Sequence, residues 1–172
     1  SGASLWMYGA SQLTSSAGTL SITATSSSSG TYGVLQDGSS LISSYGNATL
    51  DVTGASSYHG LYLGASAILR STNGTMNITA SAPASTPAIE TMGSAQINSA
   101  GNLTISATIN PTSNNTRFRL TNSTINSGGS NGTSPLIEIT NGGSCGFNQC
   151  QITSKGVQNV LKLSGTATVS SI

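Results

Sequence analysis

Charged residues are scarce in this sequence. Only five basic and four acidic residues occur among 172, or 5% of the chain, and the net charge is +1; an ordinary globular domain contains about 25% charged residues. Five basic residues cannot build a surface that follows phosphate groups, so we expect no nucleic-acid partner. Long surface helices are also disfavoured, because their solvent-facing side needs Glu, Lys and Arg.

Long apolar runs are missing as well. No run approaches the roughly 18 residues that a transmembrane helix needs, and no secretory signal is visible at the start. We therefore expect residues 1–172 to form a single segment that does not insert into a membrane. Repeat-like sequence at both ends predicts that the segment belongs to a longer protein.

The sequence is rich in small polar residues and contains an internal repeat. It has 33 Ser, 23 Thr, 21 Gly and 14 Asn residues. A small residue, any residue and then Leu or Ile recur six times, and the aliphatic anchors lie 26 to 29 residues apart. The anchors are Leu13, Ile42, Ile68, Ile97, Ile125 and Ile152, and the small residues two positions before them are Ser11, Ser40, Ser66, Ala95, Ser123 and Cys150.

Two further apolar stretches accompany each anchor. Pairs that alternate with polar residues follow it, and a looser apolar stretch precedes it. The pairs are Leu20 and Ile22, Leu50 and Val52, Met76 and Ile78, Leu103 and Ile105, Ile137 and Ile139, and Leu161 and Leu163. Alternation with period two predicts strands with one buried face.

Three short strands in roughly 28 residues cannot bury their own apolar face, but stacking on a neighbouring repeat can. We therefore predict an all-β fold, a parallel β-helix of about six three-stranded coils. An antiparallel β-sandwich is the alternative, but it would not require the recurrence.

Several stretches resemble the repeats of filamentous haemagglutinin-like proteins. They are Gly18 to Thr23 (GTLSIT), Gly33 to Gly38 (GVLQDG), Gly74 to Thr79 (GTMNIT) and Gly101 to Ser106 (GNLTIS). The resemblance implies a right-handed β-helix in a large exoprotein, secreted to the bacterial cell surface with the help of an outer-membrane secretion partner. It also implies an adhesin, or the stalk of a contact-dependent growth-inhibition effector, that binds a protein or glycan receptor on a target cell.

Catalytic and metal sites are not expected. The resembled stalks contain no catalytic residues, and the four acids of this chain, Asp37, Asp51, Glu90 and Glu138, fall in different repeats. The single histidine, His59, has no Cys or Asp neighbour in sequence and is expected to be an exposed turn residue. We therefore expect a protein that is not an enzyme and has no cofactor.

Two cysteines, Cys145 and Cys150, enclose four residues. In a secreted protein two nearby cysteines usually pair, so we expect a disulfide that holds a coil corner. Its short loop predicts only a modest gain in stability.

The residues expected to bind a partner are exposed aromatics, arginines and insertion loops. Trp6, Tyr8, Tyr32, Tyr45, Tyr58 and Tyr62 concentrate in the first three repeats, and insertions cover Thr25 to Tyr32, Asn110 to Arg117 and Asn126 to Pro135. Such residues supply most of the energy of interfaces, and rings also stack on sugars. The candidate binding surface comprises Tyr58, His59, Tyr62, Arg117, Arg119, Asn126, Ser130 and Asn131, with both arginines on one face.

Two other functions compete with adhesion. An ice- or carbohydrate-binding solenoid would present a flat Thr-x-Thr array, which the first repeat (Thr23 and Thr25) and the last (Thr166 and Thr168) fit but the repeats between them do not. A polysaccharide-acting β-helix enzyme would need paired carboxylates within about 10 Å. Asp37 and Glu90 lie two predicted coils apart, so only a favourable geometry would pair them.

Overall fold

The structure is a computed structural model that describes residues 2–27, 30–55, 58–82, 86–109, 116–129, 137–139, 143–148, 151–154, 161–163 and 167–171. At residues 109, 116–117, 137–139, 143–148, 152–154, 161–163 and 167–171 the description covers the backbone alone.

The described chain is an all-β solenoid without helices, as the repeat predicts. Its strands form three parallel sheets of seven, six and six strands, which we call A, B and C, and each turn of the chain adds one strand to each sheet. One turn takes about 28 residues, and side chains are described through about four turns. The right-handed sense of coiling stays a prediction of the resemblance.

The strands are short and evenly distributed over the turns. Sheet A contains β1 (Gly2–Met7), β4 (Thr31–Gln36), β7 (Leu61–Leu63), β10 (Ile89–Thr91), β13 (Thr116–Thr121), β16 (Gly143–Asn148) and β19 (Ala167–Ser171). Sheet B contains β2 (Gln12–Ser15), β5 (Leu41–Ser44), β8 (Ile68–Ser71), β11 (Gln96–Ser99), β14 (Thr124–Ser127) and β17 (Gln151–Ser154). Sheet C contains β3 (Leu20–Thr25), β6 (Ala48–Thr53), β9 (Met76–Ala82), β12 (Leu103–Ile109), β15 (Ile137–Ile139) and β18 (Leu161–Leu163).

Apolar side chains stack in columns inside the solenoid. In sheet C, Ile22 pairs with Leu50, Leu50 with Ile78 and Ile78 with Ile105, and all four are buried. The residues between them along each strand point outwards and are mostly Ser, Thr or Asn, which a β-strand tolerates on its solvent face. The alternation seen in the sequence therefore has the predicted cause.

The register of two columns differs from the sequence-based alignment. Ile42 of sheet B pairs with Leu69, not with Ile68, and the small residue of that turn is Ala67 rather than Ser66. The cause is the preceding turn, whose left-handed position is Gly9, Gly38 and Gly93 in other turns but Ala65 here, with a φ of 48°. Counting from Gly64, which precedes Ala65, therefore places the anchor one residue too early, at Ile68.

The paired positions of sheet C are also displaced. Leu50 lies beside Ile78, whereas the sequence-based alignment places it beside Met76. Met76 instead pairs with Ala48, because β6 begins with a small residue where its neighbours carry a large one. The column therefore mixes large and small side chains, which fills a narrow interior without overpacking.

A column of buried serines, which the repeat analysis missed, lines the corner between sheets B and C. Ser44, Ser71, Ser99 and Ser127 follow the anchor by two positions in successive turns and lie in register. Their hydroxyls donate to turn carbonyls: that of Ser44 to Asn47 at 2.8 Å, and that of Ser71 to Gly46 of the preceding turn at 2.7 Å. These bonds satisfy backbone groups that the tight corner would otherwise bury without partners.

The corrected register of sheet B can be tested with two adjacent substitutions. Leu69→Asp places an unpaired carboxylate at a fully buried position, and such a charge costs several kcal/mol out of a total stability of about 5–15 kcal/mol. Ile68→Asp places the same charge on the partly exposed outer face, where the expected cost is about 1 kcal/mol or less. Thermal unfolding followed by circular dichroism measures both, and equal losses for the two variants would contradict the register.

Candidate functional site

One column on the outer face of sheet A carries large and charged side chains. Trp6 pairs with Leu35, Leu35 with Tyr62, Tyr62 with Glu90, and Glu90 with Arg119. These residues are 27 to 29 positions apart in the chain but neighbours in the sheet, because each turn places the same strand position above the last. Strands in a sheet lie about 4.8 Å apart, so the column runs over about 19 Å.

The segment that joins β6 to β7 brings two more rings to this face. Tyr58 and His59, the two residues before Gly60, follow a path close to the sheet that places them next to the column. Gly60 permits this path, because a Cβ atom there would lie 2.6 Å from the Ser81 carbonyl oxygen of the next turn. A residue with a side chain would therefore push the segment away from the sheet.

Four rings pack together at this corner. The ring centroids of Tyr32 and Tyr58 are 4.8 Å apart in an edge-to-face arrangement, and Tyr32 stacks on His59 at 5.6 Å. Tyr62 lies 5.6 Å from Tyr32 and 5.7 Å from His59. Aromatic pairs in such geometries contribute about 0.5–1.5 kcal/mol beyond the area that they bury.

A charged cluster adjoins the rings and is centred on Glu90. The Nε2 atom of His59 lies 2.5 Å from Oε2 of Glu90, and Nη1 of Arg119 donates to Oε1 of Glu90 at 3.1 Å. His59 and Arg119 thus approach different oxygens of the same carboxylate. The Glu90 side chain is 9% exposed, whereas that of Arg119 is 41% exposed.

The environment of Glu90 favours its ionised form. Burial alone would raise the pKa of this carboxyl group, but the contacts with His59 and Arg119 outweigh burial, and the pKa of Glu90 lies below its ordinary value. Glu90 therefore carries a negative charge at neutral pH, which Arg119 balances.

The tyrosine hydroxyls stay protonated well above neutral pH. Burial raises the pKa of Tyr62, and the charges of Asp37 and Glu90 raise it further. Burial also raises the pKa of Tyr32. Both phenols therefore remain hydrogen-bond donors, and that of Tyr62 already lies 3.4 Å from the sulfur of Met92.

We call these residues the sheet A patch. It comprises Trp6, Tyr32, Tyr58, His59, Tyr62, Glu90 and Arg119. A small cavity of about 40 Å³, lined by Gly2, Trp6, Tyr32 and Leu35, joins the tryptophan to the ring cluster. Tyr8 and Met92, whose side chains are exposed, directly follow β1 and β10.

The structure brings together four of the eight residues named for the binding surface: Tyr58, His59, Tyr62 and Arg119. Asn126 lies on sheet B instead, where its amide donates to Asn98 at 2.8 Å. Arg117 stands at a register shift between Thr116 and Phe118, and its side chain lies outside the described part of the structure. Ser130 and Asn131 lie outside it as well. The binding role of all eight stays a prediction.

The disulfide prediction also falls outside the described part of the structure. Cys145 is described as backbone only, in β16, and Cys150 is not described. The pairing of the two cysteines therefore stays a prediction.

The expectation of an exposed turn histidine is wrong. The His59 side chain is 12% exposed, because it lies between the ring of Tyr32 and the carboxylate of Glu90. Sequence reasoning also missed Glu90 as the centre of the cluster. The sequence does contain a signal for it. Three triplets that each begin with an apolar residue align in successive turns, and their middle residues are Tyr62, Glu90 and Arg119.

The chemistry of the patch suits binding. The His59 and Glu90 pair resembles the base and acid of a catalytic triad, but Nδ1 of His59 has no hydrogen-bond partner, so no nucleophile is positioned against it among the described residues. The described part of the chain holds no group of three metal-ligating side chains. Within the same residues, no helix is long and apolar enough to cross a membrane.

Replacement of Glu90 tests the charged cluster. Glu90→Gln removes the anion that Arg119 and His59 share, and we expect a loss of about 1–3 kcal/mol in the free energy of unfolding at neutral pH. Asp51→Asn, at an exposed position on sheet C, is the matched control and should change stability by less than about 0.5 kcal/mol. Urea unfolding measures both, and equal effects would contradict the cluster.

The same pair of proteins tests the pKa of Glu90. A carboxyl group whose pKa is lower in the folded state stabilises the fold above its unfolded pKa, and this contribution is lost as the pH falls through the folded pKa. The stability advantage of the wild-type protein over Glu90→Gln should therefore be full at about pH 7 and shrink below the ordinary value of 4.5. An advantage that grows on acidification would contradict the lowered pKa.

Comparison with protein-family models, with curated proteins and with solved structures gave no significant match to this chain.

Proposed function

We propose that this chain is a non-catalytic, adhesive segment of a bacterial surface exoprotein, and that it binds a receptor on a target cell through the sheet A patch. The β-solenoid supplies the rod, and the patch supplies the binding site. Secretion to the cell surface with an outer-membrane partner, and kinship with filamentous haemagglutinin-like repeats, are parts of the proposal that rest on the resemblance of the sequence stretches alone.

The observation that carries the proposal is the concentration of the patch. The sequence has eight aromatic residues, and four of them lie on or beside one face of sheet A together with His59, Glu90 and Arg119. The outer faces of sheets B and C consist mainly of Ser, Thr, Asn and Gln. Because Trp, Tyr and Arg dominate binding energies at interfaces, the patch is the best-equipped surface of the described part.

The packing of the patch also favours a binding role. The rings of Tyr32, Tyr58, Tyr62 and His59 contact one another, and the charges of Glu90 and Arg119 are paired, so these side chains lose little freedom when a partner binds. A site that is ordered beforehand retains more of its contact energy as affinity.

The outer face of sheet C supports the second candidate, an ice-binding surface. In the observed register Thr25, Thr53, Ser81 and Thr108 form one continuous hydroxyl column. The next column reads Thr23, Asp51, Thr79 and Ser106, so the charge of Asp51 interrupts the array. We therefore rank this function below receptor binding.

The proposal is tested by binding of the fluorescently labelled chain to intact bacterial and epithelial cells. We expect saturable binding that Trp6→Ala and Arg119→Ala each weaken at least about tenfold, the effect of losing about 1.4 kcal/mol. Tyr45→Ala and Arg70→Ala are matched controls, because both side chains are exposed and stand away from the patch. They should leave the affinity within about twofold.

Each outcome has a defined meaning. Binding that only the patch variants weaken supports the proposal. Saturable binding that only the controls weaken would move the site to another face. No binding to either cell type would contradict receptor binding by this segment.

A further inference from the structure

The charge balance of the sheet A patch limits the kind of ligand that fits it. Glu90 is ionised and nearly buried, and the positive charge of Arg119 offsets it. Asp37 adds a negative charge beside Tyr62. An acidic polymer would therefore gain little from this surface, whereas an uncharged ligand with many hydroxyl groups is not repelled by it.

The size of the patch also limits the ligand. It runs about 19 Å along the solenoid axis. Across the axis it is about 10 Å wide, which is the length of the three-residue strands β7 and β10, so its area is about 200 Å². A standard protein–protein interface takes about 800 Å² from each partner. The surrounding surface of Ser, Thr, Asn and Gly offers few further anchors for a protein. The patch has the dimensions of a short, extended oligosaccharide.

The side chains offer the two kinds of contact that a sugar makes. The exposed ring of Trp6 and the half-buried ring of Tyr62 can cover the apolar C–H face of a pyranose. At the other end, the side chain of Arg119 is 41% exposed, and its Nη1 atom is held by Glu90. A guanidinium carries five N–H donors, so those that face the solvent can bond to hydroxyl groups of a bound ligand.

We propose that the sheet A patch binds a neutral oligosaccharide, whose rings stack on Trp6 and Tyr62 and whose hydroxyls bond to Arg119. Glu90 is a positioning residue in this site, since it holds the guanidinium of Arg119 and the imidazole of His59 in place. This inference rests on the proposed function and names the chemical class of the receptor.

The probe is an array of neutral and acidic oligosaccharides, incubated with the labelled chain. We expect signal on neutral members, with no gain from added carboxylate or sulfate groups. Trp6→Ala should reduce the signal at least tenfold, whereas Trp6→Phe, which keeps a ring, should retain most of it. Tyr45→Ala is the control for a general loss of aromatic surface.

A second arm separates failure of this inference from failure of the proposed function. Target cells are treated with periodate, which cleaves vicinal diols of sugars, or with protease, before the labelled chain is added. Loss of binding after periodate, together with an array signal, supports a neutral glycan. Periodate-resistant and protease-sensitive binding, with an empty array, would overturn the glycan and leave a protein receptor. Absence of binding to untreated cells would overturn the proposed function itself.

The positioning role of Glu90 has its own readout. Glu90→Gln should weaken binding to the neutral array members about as much as Arg119→Ala does, while the tryptophan contact is untouched. Combining Glu90→Gln with Arg119→Ala should then add little further loss. Independent losses that multiply would show that Glu90 does not act through Arg119.

Discussion

The hydrogen bonds between successive turns determine the rest of this structure. The strands of sheets A, B and C pair in parallel with the strand one turn away, and apart from the shift between Thr116 and Phe118 the paired residues stay in register, so a side chain lies over its equivalent about 4.8 Å along the axis. Apolar columns fill the interior, and the side chains that alternate with them along each strand form columns on the outer faces. A charge placed outwards would meet a like charge in the next turn if the repeat were perfect, which gives a physical reason for the low charge content.

The sheet A patch results from the same stacking. Tyr62, Glu90 and Arg119 occupy one outward column in three successive turns, so an acid and a base become neighbours without being close in sequence. The segment that precedes β7 supplies His59 from the side, and the nearly buried carboxylate is thereby surrounded by groups that stabilise its charge. A repeated scaffold acquires a specific site where its repeats differ from one another.

Much of the fold follows from the sequence, because the ~28-residue recurrence and the alternation of apolar and polar residues directly reflect the stacking. The register of individual strands was harder to predict. Ala65 stands at the left-handed turn position that Gly9, Gly38 and Gly93 occupy in other turns, and this displaced the predicted anchor from Leu69 to Ile68. Tyr58, Tyr62 and Arg119 could be named as candidate binding residues by type, but the pairing of His59 with Glu90 depends on the path of a connecting segment that has no regular pattern.

The most direct test of the account is a double-mutant cycle between Glu90 and Arg119. The free energy of unfolding is measured for Glu90→Gln, Arg119→Gln and the double variant, with Arg70→Gln on sheet B in place of Arg119→Gln as the control. Because stacking brings Glu90 and Arg119 into contact across one turn, we predict a coupling energy of about 0.5–3 kcal/mol for this pair and additive effects for the control. Additive effects for Glu90 and Arg119 would contradict the register of sheet A and, with it, the patch.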